Sequence, residues 1–107
     1  MSTKPSGLIP AVHTPFDSAG QLDLHVVPQQ AEYLMRSGCQ GIYVGGTTGE
    51  CHSLTCDERI ALADAWLDIS DSTDLCVIVH VGDNCMPQAQ AMAAHAQGRG
   101  ADAIAVM

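Results

Sequence analysis

Apolar residues alternate between two periods along the chain, and this alternation constrains the fold more than any other feature. Residues 75–81 (LCVIVHV) form an almost uniformly apolar, β-branched run, which is typical of a strand covered on both faces. Residues 7–13, 41–44 and 101–107 are shorter runs of this kind. Between the runs, apolar residues recur every three or four positions, which predicts helices. The order β-α-β-α-β-α-β therefore predicts an α/β fold with parallel strands.

Start and stop signals bound the three predicted helices. Asp23 is the predicted N-cap of the first helix, although Pro28 suggests a later start, and Gly38 ends it. Thr55 and Glu58 have the spacing of a capping box for the second helix. The residues predicted on the inner faces of the second and third helices are Ile60, Ala63, Trp66, Leu67, Ala89, Met92, Ala93 and Ala96.

The composition excludes several classes of protein. The formal net charge is −8, from 12 acidic and 4 basic residues, so nucleic acid and anionic membranes are not expected partners. Hydrophobic residues make up 47% of the 107-residue chain, which excludes disorder. Charged residues make up 15%, against about 25% in typical soluble domains, so the chain has much apolar surface to bury. Neither a secretory signal nor an apolar run long enough to cross a bilayer is present.

Cysteine usage predicts a reducing environment. The chain has five cysteines, an odd number, and no C-x-x-C pair, which favours free thiols and a cytoplasmic location. Cys51, His52 and Cys56 are close in sequence, but their spacing matches no standard zinc module, so no metal site is predicted. Cys51 and Cys56 flank the one glycine-rich loop and are the two thiols selected for tests of reactivity.

Residues 46–50 (GTTGE) form the segment most suited to chemistry. They directly follow a predicted strand, at the edge where parallel α/β folds bind ligands. Thr47 and Thr48 offer two hydroxyls beside backbone N–H groups, which suits a small carboxylate or phosphate. No nucleotide-binding glycine motif is present. From the residues alone, an ordinary glycine turn with Glu50 bonded to local backbone donors is equally compatible with this pattern.

Several segments resemble one enzyme family. Residues 7–16 (GLIPAVHTPF), 41–50 (GIYVGGTTGE) and 53–59 (SLTCDER) are similar to the opening of the pyruvate-dependent class I aldolases. That family contains N-acetylneuraminate lyase and dihydrodipicolinate synthase. Residues 78–82 (IVHVG) resemble the third strand of the lyases, whereas the synthases usually have a Gly-Thr-Gly type of ending there. Residues 100–106 (GADAIAV) are also similar to the fourth strand of the lyases.

The resemblance implies a fold and a mechanism. The expected architecture is the N-terminal half of a TIM (β/α)8 barrel, with residues 1–107 as one partial domain holding strands one to four. The implied reaction is Schiff-base cleavage of sialic acid to pyruvate and N-acetylmannosamine, without metal or organic cofactor. By position, Thr47 and Thr48 would hold the carboxylate of pyruvate or another 2-keto acid. The family is commonly tetrameric, so a homo-oligomer is expected.

The catalytic groups of the family have no counterpart in this chain. Its Schiff-base lysine and its catalytic tyrosine lie on later strands, and the chain stops within the predicted fourth strand. The only lysine here is Lys4, in a polar segment before the first strand, and Tyr33 and Tyr43 do not match the family tyrosine. We therefore expect a truncated chain that is inactive alone.

Other interpretations remain open. Within the family, the alternative is dihydrodipicolinate synthase or another 2-keto-acid aldolase. Outside it, the chain could be a non-catalytic half-barrel that binds a carboxylate or associates through its open strand edges. A small flavodoxin-like domain is disfavoured, because residues 13–16 make a poor phosphate loop.

Some residues are assigned packing roles rather than chemistry. His13 and His80 are interpreted as hydrogen-bonded core histidines, although each could face the barrel mouth. Trp66 and Met92 are interpreted as packing residues. The acidic residues predicted to form a solvated face are Asp57, Glu58, Asp64, Asp68, Asp71 and Asp74.

Overall fold

Three parallel strands form the sheet of the computed structural model, which describes residues 7–106. The strands are β1 (Gly41–Val44), β2 (Cys76–His80) and β3 (Ala103–Ala105), hydrogen-bonded in that order. The helices are α1 (Val27–Arg36), α2 (Cys56–Asp71) and α3 (Met86–Gly98). The register places Val44 beside Val79 and His80 beside Ala105. The predicted parallel α/β order is confirmed for these elements.

The segment predicted as the first strand runs beside β1 but is not a regular strand. Ala11 forms a single parallel bridge with Tyr43, where Val12 N donates to Tyr43 O and Tyr43 N donates to Pro10 O. Pro10 has no N–H, so the ladder cannot continue through it. The prediction of a strand over residues 7–13 was therefore wrong in its extent, while its parallel direction was right.

The predicted starts of the first two helices have different outcomes. The Asp23 carboxylate accepts from His25 N, but it caps a short 3-10 turn, and α1 begins later, at Val27, with Pro28 in its first turn. The capping box of α2 is confirmed, because Glu58 N donates to Thr55 Oγ1 at 3.1 Å and Thr55 N donates to the Glu58 carboxylate at 2.8 Å. Two backbone donors at the start of α2 are thus satisfied reciprocally.

One face of the sheet packs against the helices to form the core. Ile42, Val77 and Trp66 are fully buried there, and Met92 of α3 is 4% exposed. Each such side chain contributes about 1.5–3 kcal/mol by leaving water. The packing roles of Trp66 and Met92 are confirmed. Because the helix side of the sheet is filled by these residues, the carboxyl ends of the strands are where polar groups can be exposed.

The acidic face of α2 is partly paired rather than simply solvated. The Asp64 carboxylate lies 2.7 Å from His95 Nε2 and also accepts from Arg99, so it links α2 to α3. Arg99 also donates to Asp68 at 2.7 Å, and this bond raises the pKa of the guanidinium above its ordinary value. The interpretation of Asp64 as a solvated charge was therefore wrong, since the packing of α3 brings a base and a cation to it.

Within residues 7–106, no helix is both long enough and apolar enough to span a membrane.

Candidate functional site

The loop that follows β1 lies at the carboxyl edge of the sheet. We call it the 45–50 loop. Gly45 has a left-handed φ of +78°, which turns the chain sharply out of the strand. Thr47 and Thr48 are both exposed at this edge. The structure therefore brings the two predicted threonines to the position where parallel α/β folds bind ligands.

Side chains from two other segments hold the two ends of the 45–50 loop. His80 Nδ1, at the end of β2, lies 2.8 Å from Gly45 O. The Thr14 hydroxyl, from the segment before α1, donates to Gly49 O, and both residues are buried. The loop is consequently anchored to the chain on either side of β1.

The middle of the loop satisfies its carbonyl groups internally. Cys51 N donates to Gly46 O at 3.2 Å, and Glu50 N donates to Thr47 O at 2.9 Å. The N–H and hydroxyl groups of Thr47 and Thr48 donate to no acceptor within residues 7–106. The Gly46 and Thr47 carbonyls are thus occupied while adjacent donors on exposed residues have no partner among the described residues, an arrangement that suits a small anion.

Close packing explains why glycine stands at the second end of the loop. A Cβ placed on Gly49 would lie 3.2 Å from Val12 O and 3.3 Å from the Thr14 hydroxyl oxygen. These distances are tighter than ordinary van der Waals contact, so a side chain would push the loop away from the Val12–Thr14 segment.

Arg59 is a site residue that the sequence reasoning missed. It is 6% exposed, and its guanidinium donates to Gly82 O at 2.8 Å and to His80 O at 3.0 Å, across the end of β2. The signal was present in the sequence: Arg59 lies on the same helical face as Ala63 and Trp66, four and seven residues later. A cation on an apolar helix face must find buried acceptors, here the carbonyls of a strand end.

The two histidines have different outcomes. His80 is 6% exposed and its Nδ1 is hydrogen-bonded, which confirms its interpretation as a hydrogen-bonded core histidine, while its buried Nε2 has no partner among the described residues. His13 is exposed, so its interpretation as a core histidine was wrong. The reason is the alternation of the extended segment, in which Val12 and Thr14 point inward and are each 6% exposed.

Glu50 adopts an uncommon backbone conformation. Its φ is +59°, in the left-handed region that disfavours residues with a Cβ. Its carboxylate bonds no other residue of the described range, so the alternative in which Glu50 pairs with local backbone donors is not seen there.

The thiols near the loop are less accessible than the sequence suggested. Cys51 is 4% exposed and Cys56 is half-buried, whereas Cys85 is exposed. The described residues contain no group of three or more His, Cys, Asp or Glu side chains placed to hold a metal ion.

Comparison with solved structures defines the class of fold. The N-acetylneuraminate lyase of Proteus mirabilis superposes with a TM-score of 0.90 at 36% identity, covering 96% of this chain and 35% of that one. The dihydrodipicolinate synthase of Aquifex aeolicus superposes with a TM-score of 0.86 at 32% identity, covering 94% and 33%. The chain therefore has the fold of the N-terminal portion of a (β/α)8 barrel.

Comparison with sequences places the chain in a family. The model of the dihydrodipicolinate synthetase family matches residues 4–107, and the chain belongs to this family. The N-acetylneuraminate lyases of Danio rerio and Homo sapiens are 39% and 38% identical to it over 105 residues, or 97% of the chain. The chain spans about a third of the length of these curated relatives, 34% and 33%. The family resemblance predicted from the sequence is confirmed.

Proposed function

We propose that the 45–50 loop binds the carboxylate of pyruvate or another 2-keto acid in an aldolase of the N-acetylneuraminate lyase kind. The complete reaction would cleave sialic acid to pyruvate and N-acetylmannosamine. The similarity to the lyases of Danio rerio and Homo sapiens supports this choice within the family. Because this chain corresponds to about a third of those relatives, the reaction belongs to a protein that also supplies the remaining strands.

The observation that carries the proposal is the orientation of the peptide groups in the 45–50 loop. The carbonyls of Gly45, Gly46, Thr47 and Gly49 accept hydrogen bonds from within the molecule. Thr47 and Thr48 are exposed at the carboxyl edge, and their hydroxyl and N–H groups donate to no acceptor within residues 7–106. Up to four donors can thus converge on two carboxylate oxygens, and hydrogen bonds to an ionised acceptor are the stronger kind.

In the proposed reaction, the 45–50 loop binds the substrate and takes no part in breaking the carbon–carbon bond. In the proposed reaction, a lysine amine condenses with the keto carbon and water leaves, giving a protonated iminium. Breaking the bond between the α- and β-carbons moves its electron pair into the iminium and gives an enamine, while the β-hydroxyl proton passes to a base and the second fragment leaves as an aldehyde. Protonation of the enamine carbon and hydrolysis by water then release pyruvate and the free amine. Thr47 and Thr48 orient the keto acid by its carboxylate. The amine comes from a later strand, and Lys4, the only lysine of this chain, lies outside the described residues.

Titration of the isotopically labelled 107-residue chain with pyruvate, followed by NMR, tests the binding role. We expect saturable shifts of the Thr47 and Thr48 amides. Thr48→Val keeps the shape and the N–H but removes one hydroxyl, and should weaken pyruvate binding by about tenfold. Ser18→Ala, which removes an exposed hydroxyl outside the 45–50 loop, is the matched control and should leave the dissociation constant unchanged. Shifts confined to other parts of the chain would contradict the proposal.

Borohydride reduction in the presence of pyruvate tests the assignment of the nucleophile. We expect no stable adduct on the 107-residue chain, and an adduct located by mass spectrometry on Lys4 would contradict that assignment. A longer polypeptide that carries this chain together with the later barrel strands should form an adduct. It should also release pyruvate from N-acetylneuraminate. Condensation of pyruvate with aspartate semialdehyde, but not with N-acetylmannosamine, would instead identify a dihydrodipicolinate synthase.

A further inference from the structure

A buried histidine of the neighbouring strand holds the carbonyl group that begins the 45–50 loop. His80 Nδ1 lies 2.8 Å from Gly45 O, and the His80 residue is 6% exposed. A carbonyl oxygen only accepts hydrogen bonds, so we assign the ring hydrogen to Nδ1. The end of β2 and the turn after β1 are therefore joined by a side chain, beyond the last regular strand pair at Val44 and Val79.

Arg59 fixes the strand end from which His80 projects. Its Nη2 donates to His80 O at 3.0 Å and its Nη1 donates to Gly82 O at 2.8 Å. Nη2 also lies 3.1 Å from His80 Nδ1. With the Nδ1 hydrogen assigned to Gly45 O, Nδ1 has no lone pair left to accept from the guanidinium, so we count this approach as a close contact and not as a second hydrogen bond. The first turn of α2 thereby restrains both the backbone and the ring of His80.

The peptide between Gly45 and Gly46 determines the direction in which the loop continues. Neither glycine has a Cβ, and Gly45 has a φ of +78°, so the backbone alone restrains this peptide weakly. In a planar trans peptide the C=O and the next N–H point in opposite directions. Holding Gly45 O against His80 thus also orients the Gly46 N–H and the path of Thr47 and Thr48.

We propose that Arg59 and His80 are positioning residues: through Gly45 O they hold the 45–50 loop in the conformation that presents Thr47 and Thr48 to a carboxylate. Neither side chain is assigned a contact with the ligand. The inference rests on the proposed function for the identity of the ligand, whereas the effect on the loop itself is independent of it. Thr14 holds the opposite end of the loop, so loss of the His80 bond should free only the first half.

Two variants of His80 distinguish a role in positioning the 45–50 loop from a role in packing alone. His80→Asn keeps an N–H donor close to the Nδ1 position, while His80→Gln carries its amide one methylene further from the backbone. In the 107-residue chain we expect His80→Asn to bind pyruvate within about threefold of the wild type and His80→Gln to bind about tenfold more weakly. Equal pyruvate affinities for both variants and the wild type would overturn the inference.

Amide exchange gives a readout that does not need the ligand. Glu50 N and Cys51 N donate to Thr47 O and Gly46 O within the loop. Their exchange should accelerate about tenfold in His80→Gln and not in His80→Asn, with the α2 amides unchanged. If the wild type does not bind pyruvate, the proposed function fails, and this measurement still decides the inference. Unchanged exchange in both variants would overturn it.

Arg59→Lys provides a further variant if His80→Gln does not fold. Lysine keeps the positive charge, but its single ammonium group cannot replace the two guanidinium nitrogens that donate to His80 O and Gly82 O at the same time. We expect pyruvate binding weakened about threefold, with faster exchange of Glu50 N. Wild-type values for both measurements would count against a positioning role for Arg59.

Discussion

At each end of β2, backbone groups form hydrogen bonds with a charged side chain, and the two side chains have opposite charges. At the amino end, Val77 N donates to the Asp102 carboxylate at 2.9 Å. At the carboxyl end, the Arg59 guanidinium donates to His80 O and Gly82 O. The carboxylate is on an exposed residue, whereas Arg59 is 6% exposed. The same strand therefore has an accessible, acidic amino end and a buried, cationic carboxyl end.

This difference describes the local charges around the anion site that we propose in a strongly acidic chain. A parallel strand leaves N–H groups free at one end and C=O groups free at the other, so each end recruits the opposite charge. At the carboxyl end, the Arg59 guanidinium offsets the partial charges of the His80 and Gly82 carbonyls, and it is itself paired with the Asp83 carboxylate at 3.5 Å.

The largest expected effect comes from removing the cation at the carboxyl end. Arg59→Met should lower the free energy of unfolding of the 107-residue chain by about 3 kcal/mol, because His80 O and Gly82 O lose their donors in a buried place. Urea denaturation followed by circular dichroism measures it. Arg36→Met is the control, since the Arg36 and Glu32 side chains are 72% and 69% exposed, and it should change stability by less than about 0.5 kcal/mol. Equal losses in both variants would break the comparison.

A smaller loss of stability is expected from crowding the loop at the carboxyl end. Gly49→Ala should cost about 2 kcal/mol, because its Cβ meets Val12 O and the Thr14 hydroxyl oxygen. Gly98→Ala, at the end of α3, has open space around the added Cβ and should be neutral or slightly stabilising. Thermal unfolding measures the stability of both variants. An unchanged stability of Gly49→Ala would show that the segment around Thr14 moves to make room for the added Cβ at little cost.

Removing the carboxylate at the amino end should cost still less. Asp102→Ala leaves Val77 N without its acceptor at a partly buried position, and we expect a loss of about 1 kcal/mol. Asp74→Ala is the control, an exposed acidic residue just before β2. The midpoints of urea denaturation measure the stability of both variants. A loss for Asp102→Ala as large as that for Arg59→Met would mean that the two ends of β2 contribute alike.

The smallest effect concerns the reactivity of Cys76 at the amino end. Burial is the main cause that raises the pKa of this thiol, and the charge and hydrogen bond of Asp102 raise it further. Asp102→Asn removes the charge, so the pKa falls, the thiolate fraction at pH 8 rises, and alkylation of Cys76 should be about threefold faster.

Alkylation kinetics resolved by mass spectrometry checks this effect, with the exposed Cys85 as internal reference. Cys76 should remain slower than Cys85 in the variant, because burial persists. An unchanged Cys76 rate would mean that the Asp102 charge is fully screened by solvent.

Local signals in the sequence predicted much of the fold and part of the candidate site. The capping box at Thr55 and Glu58 and the apolar run of β2 depend on residues adjacent in the chain, and both are confirmed. The position of Thr47 and Thr48 followed from the order of a strand and a glycine-rich segment. The exposure of His13 was mispredicted, because the inward face of the extended segment is set by its bridge to Tyr43 of β1 and by Val12 and Thr14 pointing inward, which only the packed structure shows.

The parallel α/β order, the family and the placement of the two threonines at a strand end can all be predicted from residues near one another in the chain, because periodicity, capping and glycine turns act over a few residues. The contacts that hold the 45–50 loop cannot be predicted in this way. Thr14 and Gly49 are 35 residues apart, as are Gly45 and His80, and Arg59 reaches His80 across 21 residues. Such contacts depend on the packing of separate elements, where a buried donor is matched to whichever carbonyl the fold brings within reach.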